Sequence, residues 1–176
     1  LKRLFQCALS LAFVAVLATG CDDPTSTQLD IDAQFARGGN GVVAMATGSR
    51  VRAGSIRHFQ FSAIEKANGS VSGQFNLTFE GPGNTHIHGE IVCIRVDGSR
   101  AWIGNKITSS GNPVLVGNQG GFDVEDNGEG QGSTDRLSRT FVDGAPDGGL
   151  AQDVCDGATF IEFDAVDIDK GNIQVH

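Results

Sequence analysis

An all-β, mainly antiparallel domain, built as a sandwich or a small barrel, is the fold class this sequence predicts. Three observations carry that expectation. Residues 70–80, "SVSGQFNLTFE", alternate apolar and polar side chains with a period of two, the signature of a strand with one buried face. Glycine occurs 25 times against 4 prolines, and the glycines separate short apolar runs in the way that many tight connections require. Beyond the first twenty residues no long segment carries the 3.6-residue pattern of an amphipathic helix.

The elements follow in chain order. In "SIRHFQFSAI", residues 55–64, Phe59, Phe61 and Ala63 share one face and His58, Gln60 and Ser62 the other. The next strand places Val71, Gly73, Phe75, Leu77 and Phe79 on its inner face. "KANGS" joins the two, and Asn68 and Gly69 tolerate the positive φ of a tight hairpin. "EIVCIRV" and "RAWIGNKI" flank "DGS" as a second hairpin, with Ala101, Ile103 and Ile107 facing inward and Trp102 outward against a neighbouring element. "GFDVED", "RLSRTFV", "ATFIEF" and "NIQVH" are the remaining candidate strands.

Residues 1–20 read as an export signal: Lys2 and Arg3 precede an apolar run from Ala8 to Ala18, and small residues lead to Cys21. The run is shorter than the roughly 20 residues of a membrane span. "LATGC" resembles a bacterial lipobox, which implies that Cys21 is diacylated and becomes the first mature residue. The alternative is an ordinary signal cleaved nearby, with Cys21 a plain thiol. The expected organisation is a signal over 1–20, a lipidated cysteine and polar tether over 21–32, and one β-domain over 33–176.

Of the four cysteines, Cys7 leaves with the signal and Cys21 takes the lipid, so Cys93 and Cys155 remain. An exported chain tends to pair two such residues; two separate buried thiols are the competing reading. Without Lys2 and Arg3 the chain keeps 11 basic against 21 acidic residues, a formal charge of −10. That balance excludes nucleic acid as an expected partner. The expected partner is a membrane, reached through the lipid anchor, and the expected location is a bacterial cell envelope.

Two clusters could hold metal. In "THIHGE", His86, His88 and Glu90 alternate along a strand, so two imidazoles and a carboxylate share a face and could take Zn²⁺ or Cu²⁺. Their orientation depends on parity. On a regular strand they share a face with Val92, Ile94 and Val96, whereas a bulge near Gly89 sends them to solvent. In "DVEDNGEGQGSTD", Asp123, Glu125, Asp126, Asn127, Glu129 and Asp135 supply the oxygen ligands that Ca²⁺ prefers, without the EF-hand spacing. A capped turn is the plainer reading of that loop, and also of "DAVDIDKGN" with Asp164, Asp167 and Asp169. No resident cofactor is predicted, and His58 is expected to be a solvated side chain. No GxSxG elbow, HExxH, CxxC pair, Walker loop or dinucleotide fingerprint occurs, so no catalytic residue is assigned.

"HFQFSAIEKANGSVSGQFNL", "IHGEIVCIRVDGSRAWIG", "DVEDNGEGQGSTD" and the closing "GNIQVH" together resemble a bacterial extracellular module that often follows choice-of-anchor A domains, and its small secreted relatives. The similarity covers residues 48–176, and "DNGEG" and "GNIQVH" are its most specific parts. It implies a β-rich exported domain with no catalytic residue to carry over. "DGAPDGGLAQDVCDGA", which contains Cys155, is an extra stretch relative to that pattern. The resulting expectation is a lipid-anchored, non-catalytic envelope domain with a structural or binding role; the alternative is a metal-dependent protein or enzyme using His86, His88 and Glu90.

Overall fold

Alternation in the sequence becomes alternation in burial. Phe59, Phe61 and Ala63 are buried, and so are Phe75 and Leu77 on the facing strand, while His58, Gln60, Gln74 and Asn76 are exposed. The computed structural model describes residues 41–52, 55–81, 85–129, 132–142, 148–157 and 165–176. The signal, Cys21, the tether, Asp164 and the "ATFIEF" segment lie outside the described residues. The strands belong to one folded unit, Gly39–His176.

They are β1 (Val42–Arg52), β2 (Ser55–Glu65), β3 (Val71–Phe79), β4 (Thr85–Asp97), β5 (Arg100–Ser110), β6 (Gln119–Glu125), β7 (Arg136–Leu137), β8 (Phe141–Val142), β9 (Val166–Asp167) and β10 (Lys170–Val175). All pairings are antiparallel. They form one curled sheet in the order β10-β1-β2-β3-β4-β5-β6-β7-β9, with β8 also on β6. The all-β antiparallel expectation holds, and the sheet takes the form of a half-barrel. Its concave side holds the core, where Phe122 meets Phe61 edge-on with ring centroids 5.2 Å apart and Phe75 at 6.3 Å.

Both expected hairpins form. Lys66 N donates to Ser70 O, and Gly69 N donates to Lys66 O with φ +78° at Gly69. "RLSRTFV" does not run as one strand. It breaks into β7 and β8 because Ser138 turns its hydroxyl back to accept from Asp123 N at 2.8 Å. β1, which the sequence did not single out, pairs along its whole length with β2 and carries the buried Arg50 inward to donate from Nη1 to the Leu137 carbonyl across the core.

The helix α1 (Leu150–Asp156) occupies the extra stretch before the last strands. Seven residues are too few to be stable alone, and packing holds it. A Cβ on Gly104 would collide with the Ala151 carbonyl oxygen, and one on Gly121 would lie 2.7 Å from Val154. The helix therefore sits directly on sheet backbone over β4, β5 and β6. The Cys93–Cys155 disulfide joins helix to sheet with Cα atoms 6.2 Å apart.

Candidate functional site

Strand β4 changes its inward face partway along. Ile87, Gly89 and Ile91 point into the core, then Val92 is exposed and Ile94 is buried. The pairing with β5 slips between His88 and Gly89 and again between Ile91 and Cys93. An extra residue in one strand reverses the parity of everything beyond it. This turns Cys93 toward α1 and leaves the histidine end of the strand facing outward. His86 and Glu90 are accordingly exposed and His88 is half-buried. His88 Nδ1 lies 2.7 Å from Asn76 Oδ1 on β3. Register sets His86 beside Thr78, His88 beside Asn76 and Glu90 beside Gln74, so β3 supplies no further imidazole or carboxylate next to them. Among the described residues no three His, Cys, Asp or Glu side chains converge in a way that could hold a metal ion. His58 sits on β2, exposed, with Nε2 2.6 Å from Glu80 Oε1.

The acidic residues of the 123–135 segment spread out, each toward a different donor. Asp123 is buried and accepts from Arg100 Nε at 2.8 Å and from Arg100 Nη2. Arg100 and Arg95 both stack on Trp102, at 4.9 and 4.2 Å from the ring centroid. Glu125 accepts from Arg136 Nη1 at 3.2 Å, and Glu129 accepts from Asn172 Nδ2 at 2.8 Å.

Asp126 and Asp135 meet a more demanding need. Strand β10 pairs with β1 on one side only, so the backbone N–H groups of Ile173 and Val175 point away from β1 at an open edge. Asp135 Oδ2 accepts from Ile173 N at 2.7 Å, and Asp126 Oδ2 accepts from Val175 N at 3.0 Å. Their second oxygens accept from Asn127 N and Gly128 N, both at 2.9 Å. Each carboxylate thus ties its own loop to the last strand and satisfies donors that an edge leaves unpaired. "DNGEG" and "GNIQVH", far apart in sequence, are the two sides of this seam. Nothing in the sequence pointed to the role of Asp126 and Asp135, because their partners on β10 are backbone groups 49 and 38 residues away. Asp167 lies near Arg136 Nε at 3.8 Å, and Asp169 Oδ2 accepts from Val51 N at 2.5 Å.

The remaining site is a surface. Cross-strand register aligns Lys170, Ser49, His58, Thr78 and His86 in one outward-facing row and Asn172, Thr47, Gln60, Asn76 and His88 in the next. A depression of about 440 Å³ lies over the middle of these rows. It is open and built on paired strands.

Comparison of the chain with protein-family models, with curated proteins and with solved structures finds no match, so the likeness to the choice-of-anchor-associated module rests on the motif residues alone.

Proposed function

We propose that the chain is a lipid-anchored, non-catalytic domain of a bacterial envelope, working as a binding or structural module. The observation that carries this reading is the leader-like stretch of residues 1–20, which runs up to Cys21. Val43 and His176 exchange backbone hydrogen bonds, 2.9 Å each way, and extend the β1–β10 pairing to the start of β1. The basic start, apolar run and "LATGC" support Cys21 as the anchor. The carboxylates that could have formed a calcium loop are occupied by Arg100, Arg136, Asn172 and backbone N–H groups, which favours a module over a metal-dependent catalyst. The alternative, a transition-metal protein using His86, His88 and Glu90, is favoured by the common outward face of the three residues.

Membrane fractionation tests the anchor. Two or three acyl chains, each methylene contributing about 0.8 kcal/mol, should hold the wild-type protein in the membrane fraction and Cys21→Ser should be released. Equal partitioning of the two proteins would rule out the anchor.

A further inference from the structure

The two outward-facing polar rows differ from the rest of the chain in charge. The protein has 21 carboxylates and a formal charge of −8, yet the ten aligned positions contain none, and Lys170 is their one fixed charge. They also contain no large apolar side chain. Hydroxyls, carboxamides and imidazoles fill them, and these groups both donate and accept hydrogen bonds. Among the described residues, Thr47, Ser49, Gln60 and Thr78 spend no side-chain hydrogen bond on the protein.

We infer that the depression over β10, β1, β2 and β3 is a binding site for a neutral glycan strand. Complementary chemistry excludes the other ligand classes in turn. A divalent cation needs several convergent carboxylates, whereas Glu80, against His58, and Glu129, against Asn172, touch the rows at separate residues. A polyanion needs several cations where one stands. A protein partner is held mainly through aromatic, Met or Arg anchors, and none projects here. A polyhydroxylated, uncharged chain matches what is present: donor–acceptor groups repeating about 4.8 Å apart across strands and about 6.6 Å along them. The volume, about 440 Å³, falls within the range of small-ligand pockets. Ser, Thr, Asn and His also lose little rotamer freedom when a ligand orders them. His58, fixed against Glu80 at 2.6 Å, presents a preset ring at one margin. With no aromatic platform to stack on a sugar, each site binds weakly.

The inference goes beyond the anchor reading and does not depend on it. The test is retention of the full chain, purified in detergent, on cellulose, chitin and mannan, with EDTA and high salt present. Retention on at least one matrix is expected. The Gln60→Ala, Thr78→Ala double variant should lower apparent affinity about tenfold, the effect of removing two neutral hydrogen bonds. Asn76→Ala serves as a second probe should the double variant lose its near-UV circular dichroism, and Val114→Ser, outside the rows, should bind as wild type. No retention on any of the three matrices overturns the inference. So does retention that a folded Gln60→Ala, Thr78→Ala protein or Asn76→Ala keeps in full, or that EDTA or salt abolishes.

Discussion

Asp135 is nearly buried, and both of its oxygens accept backbone N–H groups from different parts of the chain. Removing the carboxylate strands those donors at a buried edge, and an unsatisfied buried N–H costs about 1–3 kcal/mol. Asp135→Ala should therefore lose that much stability in urea titration, while a surface change such as Gln74→Ala should lose almost none. A measured loss below a few tenths of a kcal/mol would mean the seam is solvated already. At this scale the inner face was legible in the sequence, because period two assigns Phe59, Phe61, Phe75, Leu77, Ala101, Ile103 and Ile107 to one side whatever lies opposite. The seam residues were not legible, since an Asp in a Gly-rich loop has the same sequence signature whether it binds a cation, caps its own turn or holds a distant strand. Asn105 was equally hidden. It is fully buried between Ile91 and Gly120, and neither end of its amide has a protein partner among the described residues.

Helix α1 depends on two unlike supports, and they can be removed separately. Cys93 and Cys155 are 62 positions apart, and opening a loop of that length costs about 4 kcal/mol in the chain-entropy account. A Cys93→Ala, Cys155→Ala protein should unfold at lower denaturant by an amount of that order, and reduction of the wild type should reproduce the shift. If intact mass shows two free thiols in the native protein before reduction, the disulfide is absent. The second support is close approach. Gly104→Ala pushes a methyl against the Ala151 carbonyl and Cys93 Sγ, and overpacking of this kind costs about 1–3 kcal/mol. Gly111→Ala, where the nearest atoms lie at 3.7 Å, is the matched control. Neither α1 nor β1 was readable as an element. Seven residues span two helical turns, too few to establish a period. "VVAMATGSRVR" buries Arg50 inward and Met45 on the opposite parity, so its apolar pattern does not alternate. The change of face on β4 was legible as a choice between two parities. The strand resolved it with Val92 as the extra residue, three positions beyond the glycine that made a bulge plausible.

At the scale of the whole molecule, the half-barrel has two dissimilar ends. The start of β1, the end of β10 and the acidic seam lie at one end. Of the five exposed large aliphatics among the described residues, Val51, Ile56, Val114 and Val116 lie toward the other, at the β1–β2 and β5–β6 connections. Between the ends runs the polar outward face. Among the described residues no convergent set of metal ligands is present. Because the alternative reading requires a metal, thermal unfolding in Ca²⁺, in Zn²⁺ and in EDTA tests the central claim most directly. A ligand at a hundredfold excess over its Kd stabilises the folded state by about 2.7 kcal/mol, which raises Tm by several degrees in a domain of this size. A metal-independent module should show the same Tm in all three conditions, for the wild type and for His86→Ala, His88→Ala alike. A cation-dependent rise that disappears in His86→Ala, His88→Ala, or in Asp126→Ala, Asp135→Ala, would contradict that reading and establish a metal-dependent protein.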